Sequence, residues 1–428
     1  MLLLKSPIHR KCLSLAVGIL AWFTGGNLFG FNAYAIALKQ TFNYTQTELD
    51  YIASSGDLGI LLTFPAGLMV DNFGPRVTCT VSLILTTMGF ALMWIATQFK
   101  IFFATKSWLL CVFYFLASGG NFFIIITAKV VNCRIFERKH LGKVLGLCGT
   151  IYGISPAIFS AIYEGLFVQG HIEDAENQKL AEFFIMLTIL SFCTSLSAAI
   201  VLEIESEEKG ESSEVELAST KQKVVETNDS KDERESDCQI NNNKEATDKT
   251  ELIPPKKTNR LPPPDMTCLQ IIKTVQFYYI FIISGIIGGV GGTFTNNITT
   301  VVKSARLERY AVIFTVVIPI SASFGRFFGG LIPDLLFQNW PDVPRTSILL
   351  FSGFCSCIGQ VTFSIFNQRL SGLICSSMIM AIAYGSFYPQ NDIIVVEIFG
   401  LKYFGQNCGL LAISRGFGIL IFQKLFAF

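Results

Sequence analysis

The sequence predicts an all-α, polytopic membrane protein built from two related helical bundles, and three observations support this. The chain has 428 residues, of which 51% are hydrophobic and only 15% are charged, with 39 Phe, whereas a water-soluble surface needs more charge. Apolar segments recur at about the 20-residue length that crosses a bilayer. The pattern Gly-Leu-x-x-Asp occurs at residues 67–71 and again at 330–334, which indicates two related halves.

Eleven apolar segments are long enough to span the membrane. Six lie in the first half, near residues 13–38, 52–71, 77–97, 107–131, 143–168 and 181–202, and five lie in the second, near 271–302, 311–333, 346–366, 370–393 and 405–428. Basic residues precede the first segment, as in a signal peptide, but the apolar run is too long for one and lacks a clear cleavage site. We therefore expect bundles at residues 1–202 and 271–428.

Residues 203–270 form a predicted disordered cytoplasmic linker between the bundles. Residues 203–251 carry 16 Asp or Glu against 7 Lys or Arg, and the linker has no apolar periodicity with which to build a core. Within it, Asp248, Leu252 and Ile253 have the spacing of an acidic dileucine signal read by endosomal sorting adaptors. The same spacing also arises by chance in so acidic a segment.

The distribution of Lys and Arg among the short loops favours a cytoplasmic N-terminus. On this topology the sequon Asn43-Tyr44-Thr45 lies in the first outside loop, so Asn43 is a candidate for N-glycosylation. The protein is expected in the plasma membrane or in an endomembrane of the vacuolar or lysosomal kind.

Several functions are disfavoured by what the sequence lacks. Most of the 12 Cys lie in or beside apolar runs without zinc-ligand spacing, and the three His lie outside the spans. There is no Gly-x-x-x-x-Gly-Lys phosphate loop and no plausible Ser, His and Asp set. We therefore expect no metal, cofactor, enzymatic activity or nucleic-acid partner.

The first Gly-Leu-x-x-Asp bend, at residues 67–76, has residues that suit a conformational latch, that is, a contact that holds one state of the protein closed. Gly67 permits close helix approach, and the Asp71 carboxylate can accept hydrogen bonds from a neighbouring helix N-terminus. Gly74 and the following proline force a reversal, and Arg76 follows at once.

The second bend repeats Gly330 and Asp334 but has no basic residue close behind it. We expect Asp334 to use Arg326, one helical stretch upstream, as its partner.

Stretches of the chain at residues 31–34, 38–50, 67–76, 145–147, 153–159 and 397–405 resemble the nodulin-like branch of the major facilitator superfamily. That branch is itself similar to fungal monocarboxylate-transporter homologues. The resemblance covers nearly all of the chain outside the linker. It implies two six-helix bundles around a cavity that opens alternately to each side, with the bends holding the outward-facing state. The family has a twelfth span, which would be expected after Phe428. Three explanations are open: the product is truncated, a partner covers the gap, or the protein does not transport.

In that fold the first, fourth, seventh and tenth spans line the pathway, so their polar side chains are candidates for the substrate cavity. These candidates are Asn27, Asn32, Tyr34, Asn121, Asn296, Tyr388 and Asn391. The alternative is that such residues join helices to one another.

Two ionisable residues fall deepest within the predicted spans. Arg415 could hold a carboxylate through its bidentate fork, and Asp57 could take up and release a proton. The alternative for both is structural pairing within the bundle. Lys129 and Arg134 fall near the cytoplasmic end of the fourth span, where snorkelling accounts for them.

The sequence therefore predicts a secondary transporter that moves a small solute across the lipid bilayer by alternating access. An organic anion such as a monocarboxylate is the candidate solute, and a proton is the candidate coupling ion. The alternative function is a non-transporting membrane receptor or scaffold that retains the carrier fold.

Overall fold

The computed structural model describes residues 7–169, 178–202, 264–340, 343–366 and 368–427. Over these residues it contains ten helical segments that are long and apolar enough to cross a membrane. One of them, Gln46–Gln98, has 53 residues and contains two of the predicted spans. All eleven predicted spans are therefore present as helix. The predicted sorting signal at Asp248, Leu252 and Ile253 lies outside the described residues.

The first half contains six spans. Its helices are α1 (Pro7–Gly25), α2 (Phe31–Phe42), α3 (Gln46–Leu58), α4 (Thr63–Gln98), α5 (Lys100–Phe103), α6 (Ser107–Ile135), α7 (Leu141–Ile162) and α8 (Leu180–Leu202). Short 3-10 turns at Gly26–Gly30 and Gly59–Leu62 interrupt the first and second spans. We call the membrane side at which α1 begins the N-terminal face.

The second half contains five spans. Its helices are α9 (Cys268–Ile271), α10 (Val275–Ser304), α11 (Ala311–Asn339), α12 (Thr346–Ile365), α13 (Leu370–Phe399) and α14 (Phe404–Ala427). Because successive spans alternate in direction, both Gly-Leu-x-x-Asp bends lie at the N-terminal face, as two equivalent bends must. The division into bundles at residues 1–202 and 271–428 remains a prediction.

The first bend reverses the chain within α4. Gly74 has φ 83° and ψ 170°, a conformation that glycine adopts without a steric penalty. Pro75 begins the next helix, where its missing N–H costs nothing. The Gly74 carbonyl accepts from the Thr78 hydroxyl at 2.9 Å.

The two halves touch along two helix pairs, α4 with α14 and α7 with α11, and glycines permit the contact. A Cβ on Gly67 would collide with the Gly405 carbonyl, and one on Gly330 would collide with the Gly142 carbonyl. The backbones are therefore in direct contact, as in other membrane helix pairs rich in small residues.

Residues 264–270, which the sequence assigned to the linker, pack against the turn between α13 and α14. Asp265 accepts from the backbone N–H groups of Leu401 and Lys402, each at 3.1 Å. Met266 donates its N–H to the Phe399 carbonyl at 3.0 Å. Gly400 has φ 83° at this point. The contacts of the second half therefore begin before the predicted boundary at residue 271.

Candidate functional site

Asp71 joins the two halves at the N-terminal face. Its carboxylate accepts from the backbone N–H of Gly405 at 3.3 Å and of Gln406 at 2.7 Å, at the start of α14. The Arg134 guanidinium lies 2.7 Å from the same carboxylate, whose side chain is fully buried. A carboxylate at a helix N-terminus satisfies free N–H groups and interacts favourably with the helix dipole. We call this set of contacts the first clasp.

Asp334 makes the matching arrangement with the halves exchanged, which we call the second clasp. Its carboxylate accepts from the backbone N–H of Gly142 at 3.1 Å and of Lys143 at 2.8 Å, at the start of α7. Arg345 lies 3.4 Å away. Each half thus caps a helix of the other half with a buried aspartate.

The expected pairing of Asp334 with Arg326 is not the one in the structure. The loop after α11 brings Arg345 back to Asp334, and Arg345 also lies 3.3 Å from Glu397. Arg326 lies more than two helical turns before Asp334 and faces the interior instead. In the first bend, Arg76 is exposed, and Arg134 from α6 is the cation beside Asp71.

Two arginines flank one tyrosine in the interior. The guanidinium carbons of Arg326 and Arg415 lie 5.3 and 5.6 Å from the centre of the Tyr388 ring, within the range of cation–π contacts. The Tyr388 hydroxyl lies 2.6 Å from that of Tyr384. Two cations and two phenols therefore converge from α11, α13 and α14.

Glycines on facing helices leave room for these side chains. A Cβ on Gly153 of α7 would collide with the Arg326 guanidinium, and one on Gly288 of α10 would lie 2.9 Å from the Cγ of Arg415. Because α7 belongs to the first half, Arg326 lies where the two halves meet.

Arg415 has hydrogen-bond donors that no described part of the chain satisfies. Its side chain is 7% exposed, and its Nε and Nη1 atoms have no hydrogen-bond partner among the described residues. A buried donor without an acceptor is costly, and more so when it is charged. The buried Arg415 guanidinium therefore keeps two donors that no acceptor among the described residues satisfies.

Lys129 forms a buried ion pair, so its predicted snorkelling to the surface is wrong. Its Nζ lies 2.7 Å from the Oδ2 of Asp392, and the two side chains are 9% and 6% exposed. The Cys408 thiol lies 3.1 Å from the other Asp392 oxygen. Lys129 belongs to α6 and Asp392 to α13, so this pair also connects the halves.

A cavity of about 570 Å³ lies between α2 and α3, on the side opposite the clasps. Asn32 lines it together with Lys39 and Asp50. Asp57 follows Asp50 on the same helix and is also exposed, as is Asn296 of α10. Three of the predicted cavity residues, Asn32, Asp57 and Asn296, therefore have exposed side chains.

The other predicted cavity residues are enclosed by protein. Asn27, Asn121 and Asn391 are buried, each with an amide nitrogen that lacks a partner among the described residues. Asn391 accepts from the Ser284 hydroxyl at 2.7 Å, which joins α13 to α10. Tyr34 lies in an aromatic cluster with Phe31 and Phe183. It contributes to packing rather than to the accessible surface.

Asn43 is exposed directly after α2 with φ 56°. Thr45 of the sequon is the N-cap of α3, and its hydroxyl accepts from the Glu48 N–H at 3.3 Å. Glycosylation at Asn43 remains a prediction. Among the described residues, no group of three or more His, Cys, Asp or Glu could hold a metal ion.

The family of the chain follows from sequence comparison over its whole length. The sequence model of the Major Facilitator Superfamily matches residues 15–423. The chain belongs to the major facilitator superfamily. This major facilitator protein is 20% identical to "Probable transporter MCH1" of Wickerhamomyces anomalus over 97% of this chain and 79% of that protein.

Two further comparisons concern a plant relative and a solved structure. The chain is 24% identical to "Protein NUCLEAR FUSION DEFECTIVE 4" of Arabidopsis thaliana over 37% of this chain and 26% of that protein. Its fold is similar to that of the proton:xylose symporter XylE bound to 6-bromo-6-deoxy-D-glucose. The TM-score is 0.69 at 11% identity, over 98% of this chain and 89% of that one.

These findings confirm the predicted superfamily and the fold, and the nodulin-like branch within that superfamily remains a prediction. The protein is a multi-pass integral membrane protein and a secondary transporter for a small solute, not an enzyme.

Proposed function

We propose that the solute is a small organic anion and that Arg415 binds it, with Arg326 on the other cationic side of Tyr388. The observation that carries this proposal is the buried Arg415 guanidinium, whose Nε and Nη1 have no acceptor within the described ranges. A carboxylate can accept two parallel hydrogen bonds from a guanidinium. Binding it would satisfy the donors and offset the buried charge.

The charges near the site support an anion over a cation. Lys129 and Asp392 neutralise each other at 2.7 Å, whereas Arg326 and Arg415 form no ion pair with any residue in the described ranges. The surroundings of Tyr388 therefore carry an excess of positive charge. The phenol pair of Tyr384 and Tyr388 offers further donors to the anion.

Alternating access would proceed by release of the clasps. With both clasps formed, the N-terminal face is closed while Asn32 and Asp57 stay accessible from the other side. A proton is the proposed coupling ion, and the sequence put Asp57 forward as its carrier, in competition with the buried carboxylate considered in the next subsection. On the predicted topology the N-terminal face is cytoplasmic, and the closed clasps correspond to an outward-facing carrier.

The test is uptake by purified protein in liposomes under an imposed proton gradient, with radiolabelled L-lactate, pyruvate and acetate as anionic probes and glucose and alanine as non-anionic controls. We expect uptake of at least one anion and its loss in Arg415→Ala. Arg415→Lys keeps the charge but loses the bidentate fork, so we expect weaker binding.

The matched control is Arg369→Ala, since Arg369 is exposed outside the site. Unchanged anion affinity in Arg415→Ala would place the site elsewhere. Absence of flux for all three anions would contradict the proposal that the solute is a small organic anion of this kind.

A further inference from the structure

The Lys129–Asp392 pair lies between the two halves, away from both clasps. Lys129 is six residues from the end of α6, and Asp392 is seven from the end of α13. At 1.5 Å per residue the pair is about 10 Å inside the helix ends. It is therefore a further connection between the halves, deeper in the membrane than the clasps.

The surroundings of the pair are almost entirely enclosed. The Lys129 Nζ contacts the Cys408 Sγ at 3.5 Å and lies 5.4 Å from the centre of the Trp22 ring. The titratable and charged groups that face the pair are Cys133 of α6, Cys148 of α7, and Cys408 and Arg415 of α14. None of these four described groups is a carboxylate, so Asp392 faces no second acid among them, and Lys129 is its ion-pair partner.

Such a pair resists separation of the halves. If α6 and α13 moved apart, an ammonium and a carboxylate would each lose the partner that compensates for their desolvation. A proton added to the carboxylate removes its charge and with it the attraction to Lys129. A neutral Asp392 would therefore hold α6 and α13 together less firmly than the ion pair does.

We propose that Asp392, paired with Lys129, is the site at which this carrier binds its coupling proton. The proton comes from water on the open side and forms the O–H bond of a neutral carboxyl group. The weakened pair then permits the halves to separate at the N-terminal face. The O–H bond breaks when that face opens, and the proton leaves to water there as the ion pair re-forms.

The position of the pair also couples the proton to the anion, and this step rests on the anion site proposed above. Asp392 lies one helical turn from Tyr388 on α13, and Cys408 lies two turns from Arg415 on α14. Lys129, Asp392 and Arg415 together carry one positive charge. Protonation raises this to two, and a monoanion at Arg415 restores it to one. Each ligand therefore favours the other, as linkage requires.

Trp22 permits a test without substrate, because its ring faces Lys129. The measurement is a fluorescence titration of the purified protein from pH 4.5 to 9, with the Trp22 signal taken as the difference between wild type and Trp22→Phe. We expect one transition in wild type and its loss in Asp392→Asn. In Lys129→Met the transition should differ from that of wild type, because the Asp392 carboxylate no longer faces the Lys129 ammonium.

Two variants separate this site from other carboxylates. Asp50→Asn, at the exposed cavity, should leave the transition unchanged. Loss of the transition in Asp57→Asn instead of Asp392→Asn would overturn the proposal, as would a wild type with no transition. If Asp392→Asn does not fold, Lys129→Met/Asp392→Asn removes both charges together, and it should fold without the transition.

Arg415→Ala distinguishes this proposal from that of the anion site. It should lose anion binding yet keep the Trp22 transition. If Arg415→Ala binds anions normally while Asp392→Asn lacks the transition, the proton site stands and the anion site fails.

Discussion

The second clasp can be tested by removing one of its acceptor oxygens. In Asp334→Asn the side chain keeps its shape, but its amide has a single oxygen for the N–H groups of Gly142 and Lys143. The ion pair with Arg345 is lost as well. One N–H at the start of α7 is therefore left without an acceptor.

The size of the effect follows from the charge of the acceptor. A hydrogen bond to a charged group contributes about 1.5–3 kcal/mol, and each 1.4 kcal/mol is a factor of about ten in an equilibrium constant. We therefore expect the backbone N–H that loses its acceptor to exchange with deuterium about 10- to 150-fold faster.

The assay is hydrogen–deuterium exchange with mass spectrometry on the carrier in lipid nanodiscs, followed in peptides that cover residues 141–146. Asp71→Asn is the mirror-image variant and should accelerate exchange at residues 405–406. Asp50→Asn, an exposed carboxylate outside both clasps, is the control and should change neither region. Wild-type exchange at residues 142 and 143 in Asp334→Asn would refute the capping role of Asp334.

Three further predictions concern the clasps and the anion site. Asp71→Asn should slow turnover in liposomes with little loss of folded protein, and wild-type turnover would remove its role in gating. Arg345→Ala leaves a fully buried carboxylate less compensated, so the folded state should lose about 3–5 kcal/mol; a thermal unfolding temperature equal to that of wild type would contradict this. Gly153→Ala should weaken anion binding because its methyl group displaces the Arg326 guanidinium, whereas Gly165→Ala, with nothing within 4 Å, should not.

The sequence predicted the spans and the acidic bends well because both depend on local properties. The length of an apolar run decides whether it crosses the bilayer, and Gly-Leu-x-x-Asp is readable within one turn. The cationic partners of the two aspartates could not be predicted from the sequence. Arg134 is 63 residues from Asp71 along the chain, and Arg345 reaches Asp334 only because the loop after α11 folds back.

Lys129 shows how a small error in a helix boundary changes a functional interpretation. The predicted fourth span ended at residue 131, which placed Lys129 near the membrane surface. The helix continues to Ile135, and four more residues at 1.5 Å each place Lys129 about 6 Å deeper. Whether the nitrogens of Arg415 find hydrogen-bond partners likewise depends on which residues the fold places around them. The local sequence around Arg415 does not contain that information.

Asp265 is connected to the first clasp at the N-terminal face by a series of hydrogen bonds. The Asp265 carboxylate accepts hydrogen bonds from the N–H groups of Leu401 and Lys402, and the Lys402 carbonyl accepts from Arg134 at 2.7 Å. Arg134 in turn holds Asp71. Because the Arg134 guanidinium contacts both this turn and Asp71, a shift of Asp265 would be passed directly to the first clasp.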